Sequence, residues 1–223
     1  MSLGGSRPSI CKPKDRYYPI YRFKDICIPI IKHFLFIKAP LVLKPHEVEP
    51  MRFEKEAYVS KQGSIPRYHN FIVSGHLRKY HYNDKDEEIT SGLNNGPKWF
   101  TSYQAFISST VSNENVQCIT DVELIRVHRD DLDHLADTGI TQKDYTILIF
   151  QKILNEQNQR LKDLHSLSAE ERYPKLLRYQ PNIVKHVPLK YIASHLGIQP
   201  GSLSRIRKEL SINLSHYPLL HIG

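Results

Sequence analysis

The stretch VPLKYIASHLGIQPGSLSRIRKEL, Val187–Leu210, has the pattern of two short helices joined by a tight turn. Gly197 stands between the two apolar-spaced segments, where a left-handed backbone favours glycine. Pro200 suits the first turn of the second helix, because the amide that proline lacks would have no partner there. The pattern predicts a helix-turn-helix with these inward side chains: Leu189, Ile192, Ala193, Leu196, Ile198, Leu203, Ile206 and Leu210.

The outward face of the second predicted helix, residues 200–210, carries hydroxyls and cations. An arginine there can bond both acceptors of a guanine in the major groove, while hydroxyls and the other cations suit phosphates. The alternative is a helical hairpin with a solvated basic face, which fits the full pattern less well. The candidate DNA-contacting residues are Ser202, Ser204, Arg205, Arg207 and Lys208.

The charge distribution favours a polyanionic partner. The 223-residue chain has a formal net charge of +8, with 40% hydrophobic and 24% charged residues, as in ordinary soluble globular proteins. Residues 169–223 hold eight Lys and Arg and three acids, so this segment carries +5 of the +8. Net charge alone does not identify the partner.

The cysteines, histidines and apolar runs exclude several classes of protein. Cys11, Cys27 and Cys118 are too scattered for a disulfide framework or a metal site, which fits a reducing cytoplasm. The apolar run at residues 26–37 is broken by a proline and a lysine and is too short to span a bilayer, so it predicts a buried helix or strand. We expect no cofactor, no metal and no membrane partner. The C-terminal histidines lack the spacing of metal ligands; they are His186, His195, His216 and His221.

Short apolar runs separated by turn residues fill the region from about residue 54 to residue 128. Their spacing of roughly 8–12 residues predicts an antiparallel sandwich or barrel. The first two predicted strands meet at Ser74-Gly75, and the last two meet at Asp121. The predicted strands are 69–75, 76–84, 88–93, 115–120 and 122–128.

The period then changes to that of a helix. The segment Thr141–Leu167 has no glycine or proline, and Gln157 fills the one polar position of its apolar heptad stripe. The stripe predicts a coiled-coil dimer, although a helix packed on its own sheet is the alternative. After it, Ser168 and Glu171 form a capping-box pattern. The apolar stripe consists of Ile147, Phe150, Leu154, Leu161 and Leu164.

An all-β region, a long helix and this helix-turn-helix together resemble the Crp/Fnr family of bacterial transcription regulators. Residues 171–210 resemble its Bacteroidetes-type branch, and residues 61–81 resemble its β-roll, with Gly63 and Gly75 at the turn glycines. The resemblance implies an α+β fold: an antiparallel, cyclic-nucleotide-binding-like β-roll, a long dimerisation helix and a winged helix-turn-helix. It also implies a homodimer on palindromic double-stranded DNA, with RNA polymerase as a further partner. The expected domains are 1–138 (an N-terminal extension and the sensor), 139–167 (the dimerisation helix) and 168–223 (DNA binding).

The resemblance fails at the ligand-binding cassette. Nucleotide-binding members use a Phe-Gly-Glu motif and an Arg-Ser/Thr pair, but here only Phe100 matches. No arginine occurs between Lys79 and Ile125, and Lys98 lacks the planar fork that binds phosphate. We therefore expect no binding of cyclic AMP in the family's manner, so that the sensor has either lost its effector or changed it. The residues at the cassette positions, and thus the candidate ligand contacts, are Ser102, Tyr103, Ser112 and Asn113.

Two other functions are alternatives to a regulator. A signalling module that binds a cyclic nucleotide or another small ligand, and whose basic tail contacts protein or membrane, needs an intact phosphate cassette, which this sequence lacks. An enzyme on a cupin-like roll needs a metal cluster, but the strand histidines lack the close spacing of such a site. We therefore expect a protein without catalytic residues. The strand histidines are His69, His76, His81 and His128. Within the recognition helix, Gly201 replaces the family's acidic residue, so the base preference should differ.

Overall fold

The computed structural model describes residues 49–134 and 142–216; the segment 26–37 and the predicted wing lie outside these ranges. Eight antiparallel strands form two four-stranded sheets, in the orders β1-β8-β3-β6 and β2-β7-β4-β5. Each predicted strand is present, and β1, β2 and β6 are additional. The strands are β1 (Glu49–Phe53), β2 (Tyr58–Ser60), β3 (Tyr68–Ser74), β4 (His76–Tyr82), β5 (Glu88–Asn95), β6 (Lys98–Phe100), β7 (Asn115–Cys118) and β8 (Val122–His128).

The two sheets bury an apolar layer between them because alternate residues of each strand point to the same side. Gly75 makes the tight junction between β3 and β4 with φ 95°, and a Cβ there would lie 2.3 Å from the carbonyl oxygen of Asp121. Only glycine fits this turn. The residues between the sheets are Ile72, Leu77, Phe100, Val116, Cys118, Val122 and Leu124.

Seven helices complete the described part of the chain. The predicted long helix is confirmed as a single element, and Ser168 and Glu171 form both hydrogen bonds of the capping box. Within the two described ranges, no helix has both the length and the apolar character needed to cross a bilayer. The helices are α1 (Tyr103–Ser108), α2 (Arg129–His134), α3 (Gln142–Ser166), α4 (Ala169–Tyr179), α5 (Pro181–His186), α6 (Leu189–Leu196) and α7 (Pro200–His216).

The turn between α6 and α7 confirms the predicted helix-turn-helix. Gly197 is left-handed at φ 70°, and its amide bonds the last turn of α6. Helix α7 begins at Pro200 as predicted, but it continues to His216 rather than ending at residue 210. Residues 211–216 contain no glycine or proline that would stop the helix, which explains the error.

The helix-turn-helix packs against the roll through a shared apolar cluster. Leu93 of β5 and Ile119 join the buried side chains of α4–α7, among which Ile183 and Leu203 have no exposed surface. Strand β5 is an edge strand, and an edge leaves backbone groups without partners in the sheet. Helix α6 therefore covers groups that would otherwise face solvent.

Hydrogen bonds stabilise this contact between the helix-turn-helix and the roll. The hydroxyl of Ser194 on α6 accepts a bond from the amide of Thr90 on β5 at 2.9 Å. Arg160 on α3 donates to the carbonyl oxygens of Thr90 at 3.4 Å and His195 at 3.1 Å. The long helix, the roll edge and the helix-turn-helix thus meet at one place.

Candidate functional site

The outer face of α7 presents the predicted DNA-contacting residues. Leu203 and Ile206 are buried under the helix, and the helical period turns the residues between them outward. Ser202 is half-buried, whereas the other four predicted residues are exposed. The exposed four are Ser204, Arg205, Arg207 and Lys208.

The cations of this face are not neutralised within the described residues. Arg205, Arg207 and Lys208 form no ion pair with any acid that the structure describes. A Cβ on Gly201 would meet nothing within 4 Å, so the start of the helix is open to a partner. A row of free cations and hydroxyls on an exposed helix suits the major groove of DNA.

Helix α3 exposes part of its predicted apolar stripe. Leu154 is 60% exposed and Leu161 is 52% exposed, with Gln157 between them also at the surface. Leu164, at the end of the stripe, lies instead beside Gly197 of the turn, 3.4 Å from where a Cβ would be. The side chains of residues 147 and 150 lie outside the described ones. An exposed leucine stripe on a long helix is typical of a helix–helix interface.

The four cassette residues do not form a common ligand cage. The hydroxyl of Tyr103 bonds the Nε2 of His69 at 2.9 Å, so this side chain is already engaged. Ser112 is buried and closes a turn, with its hydroxyl accepting the amide of Glu114 at 3.1 Å, while Asn113 is exposed. Of the four, Ser102 alone has a buried hydroxyl without a partner in the described part of the chain. Lys98 forms an ion pair with Glu156 at 3.2 Å.

An aromatic cluster on the outer face of the first sheet holds His69. Its ring stacks on Trp99 at 4.5 Å between centroids and meets Phe106 at 6.0 Å. Burial lowers the pKa of His69 to about 3, so the ring is neutral at physiological pH. Burial also raises the pKa of the Cys118 thiol to about 12, which leaves it protonated and unreactive. No group of three or more metal-binding side chains occurs in the two described ranges.

The pKa of His69 predicts acid sensitivity. The ring is neutral in the folded chain but gains a proton below about pH 6.5 when unfolded, so this stabilisation is complete above pH 6.5 and is lost as pH falls towards 3. The contribution of His69 to the free energy of unfolding falls by about 1.4 kcal/mol per pH unit below pH 6.5, or by about 2 kcal/mol in all at pH 5. Urea denaturation at pH 7.5 and 5 measures it. His69→Phe should reduce the difference by that amount; a variant with the full wild-type difference would contradict the assignment.

Arg78 of β4 is a buried cation that the sequence pattern did not reveal. It is 3% exposed, and its guanidinium donates to Gln117 at 2.9 and 2.6 Å and to Glu88 at 2.6 Å. The guanidinium also lies between two rings, 4.0 Å from the centroid of Tyr80 and 3.9 Å from that of Tyr191 on α6. Arg78 therefore links the roll to the helix-turn-helix. An arginine at alternate spacing in a strand reads as solvent-facing, so no local signal marks it.

A histidine pair lies at the same interface. The rings of His76 on β4 and His186 on α5 are 4.7 Å apart, and both ring nitrogens of His76 are buried without a partner in the described structure. Burial and the neighbouring His186 lower the pKa of His76. The interface therefore holds a histidine that resists protonation.

Comparison with known proteins identifies the roll that is formed by the strands β1–β8. Residues 50–138 match the family model of the cyclic nucleotide-binding domain. The roll is a cyclic nucleotide-binding-like domain. No curated protein sequence matches the chain.

Solved structures share the fold over about three quarters of the chain. FixK2 of Bradyrhizobium japonicum superposes with a TM-score of 0.64 and 14% identity, over 74% of this chain and 85% of that one. A regulator assigned to the Crp/Fnr family, from Eubacterium rectale, gives 0.60 and 14% over 77% and 85%. CLP of Xanthomonas campestris, a c-di-GMP-responsive global regulator, gives 0.57 and 19% over 80% and 91%. At these identities the likeness establishes the fold alone: a cyclic nucleotide-binding-like roll followed by a long helix and a helix-turn-helix.

Proposed function

We propose that this chain is a DNA-binding transcription regulator of the Crp/Fnr type, active as a homodimer on a palindromic operator. The single observation that carries the proposal is the face of α7, where three cations without acid partners project from an exposed helix. Two such helices about 34 Å apart would enter successive major grooves. The exposed stripe of α3 supports the dimer.

We assign the parts of the chain to three roles. Residues 1–138 form the sensor with its N-terminal extension, residues 139–167 the dimerisation helix, and residues 168–223 the DNA-binding domain. The Bacteroidetes-type branch, a cytoplasmic location and contact with RNA polymerase rest on the motif resemblance. A regulator without catalytic residues fits all three parts.

The sensor does not use cyclic AMP in the family's manner. In that manner a guanidinium neutralises the cyclic phosphate, but Ser112 and Asn113 occupy the positions of the Arg-Ser/Thr pair, and Ser112 is engaged in a turn. A buried phosphate without a cation would cost several kcal/mol. CLP, a c-di-GMP-responsive regulator with this fold, supports a ligand other than cyclic AMP.

Replacing Arg205 by alanine tests the recognition helix. Arg205 is exposed on α7, and we expect it to bond a base edge, so Arg205→Ala should remove the preference at one base pair of each half-site. The discrimination lost should be about 10- to 100-fold. Selection of bound duplexes from a random pool measures it.

Lys208→Ala is the matched control, since it removes a neighbouring exposed cation expected to contact phosphate. It should weaken binding to all sequences about equally and leave the selected sequence unchanged. A selected sequence that Arg205→Ala does not alter would show that Arg205 does not read a base.

A further inference from the structure

Arg126 of β8 is a half-buried cation on the inner face of the roll. Residues two and four positions before it, Leu124 and Val122, belong to the apolar layer between the sheets, so the strand period places Arg126 on the same face. Its Nε donates to the side-chain oxygen of Asn70 on β3 at 3.0 Å. Arg126 thus lies on the inward side of the first sheet, held by residues of that same sheet.

Aromatic rings support the guanidinium. Its carbon lies 3.9 Å from the ring centroid of Tyr68 and 5.9 Å from that of Phe53. Phe53 packs against the apolar layer between the sheets. A cation over aromatic faces is stabilised without being neutralised.

No carboxylate neutralises Arg126 within the described residues. The cation forms no ion pair there, and its two terminal nitrogens have no hydrogen-bond partner in that part of the chain. Burial lowers the pKa of Arg126, and the smaller opposing effects of Tyr68 and of Glu49 on β1 do not offset it. By contrast, Lys79 is paired with Glu114 at 3.1 Å, and Lys98 is paired with Glu156 at 3.2 Å. Arg126 is therefore a half-buried cation whose terminal nitrogens are open to an anion.

We propose that Arg126 is the charged contact of an effector site inside the roll, and that the effector is a small organic carboxylate or phosphate. The terminal nitrogens of a guanidinium bind two oxygens of such an anion in parallel. Asn70 pairs with Phe100 across the sheet, and the partnerless hydroxyl of Ser102 follows two residues later, so a second donor lies at this end of the roll. The inference rests on the sensor role in the proposed function and gives that sensor a ligand class.

This site takes its cation from outside the family's cassette, although Ser102 belongs to both. The cassette lies between β6 and β7, whereas Arg126 lies on β8 and Asn70 on β3. A comparison limited to the cassette positions therefore finds no guanidinium, although one reaches the interior from another strand.

Calorimetric titration of the purified full chain, without DNA, tests the site with three probes: inorganic phosphate, benzoate and phenyl phosphate. At least one probe should bind once per chain, and the three arms separate carboxylate from phosphate recognition. Arg126→Gln should weaken that binding about tenfold or more. Arg67→Gln removes an exposed cation just before β3 and should leave it unchanged. No binding of any probe at about 10 mM, or equal losses in both variants, would overturn the proposal.

A second measurement uses the wild-type chain, in case Arg126→Gln does not fold. Phenylglyoxal modifies accessible arginines, and mass spectrometry locates the products. A bound probe should slow modification of Arg126 severalfold and leave that of Arg67 unchanged. Unprotected Arg126 in the presence of a bound probe would also overturn the site. Since neither measurement involves DNA, their failure would leave the DNA-binding role intact, and the reverse also holds.

Discussion

Replacing Leu154 and Leu161 together by glutamate should convert the proposed homodimer into folded monomers. Both leucines are more than half exposed in the single chain, at 60% and 52%, so their loss should leave the fold of each chain intact. In a dimer, however, the two carboxylates would be buried in an apolar seam, which is strongly unfavourable. DNA affinity should fall about 100-fold or more, because two linked recognition helices bind far more tightly than one. Light scattering and duplex titration measure both effects.

A second double variant, which makes the chain more negative by three charges where the leucine variant adds two, separates the seam from general charge effects. Asn155→Glu with Lys162→Glu places carboxylates with the same seven-residue spacing, one position along the helix from the two leucines, and both residues are exposed. This variant should remain dimeric. A leucine double variant that still elutes as a dimer would show that the stripe is not the interface.

Arg78→Met should be among the most destabilising single substitutions in the roll. It leaves Gln117 and Glu88 without the donor that bonds them, and it removes the cation between Tyr80 and Tyr191. We expect the free energy of unfolding to fall by about 3 kcal/mol. Denaturant unfolding followed by far-UV circular dichroism measures the loss.

Arg52→Met is the control for Arg78, because Arg52 forms an ion pair with Asp121 at the surface, where the two side chains are 48% and 56% exposed. Such pairs contribute below about 1 kcal/mol. A double-mutant cycle of Arg78→Met with Tyr191→Leu should also give a coupling energy above about 0.5 kcal/mol. Equal effects of Arg78→Met and Arg52→Met, or no coupling to Tyr191, would contradict the link between roll and helix-turn-helix.

Local patterns predicted the elements that depend on local chemistry. Gly197, the uninterrupted helix around Gln157 and the turn at Gly75 were each readable, because backbone freedom and periodicity act within a few residues. The end of α7 was not predicted, since residues 211–216 contain neither a turn-forming residue nor a clear change of period. The short strands β2 and β6 were also missed, because three residues are too few to show a period.

The functional residues likewise divide into those that a local pattern predicts and those that only the tertiary fold brings together. Arg205 and its neighbours follow from helical spacing once Leu203 and Ile206 are known to face inward. The packing of Ser194 and Tyr191 on the roll cannot be predicted from local spacing, since it joins residues about 100 positions apart in the chain. Arg126 was missed because its partner Asn70 lies on another strand, and such pairings are set by the tertiary fold.

Selection of duplexes from a random pool by the purified chain, with and without cyclic AMP, tests the central claim most directly. We expect a palindrome with half-sites about one helical turn apart, enriched equally in both arms. Enrichment only with cyclic AMP would contradict the absence of a cyclic AMP site. Binding without any enriched sequence, in either arm, would contradict the role of α7 as a recognition helix.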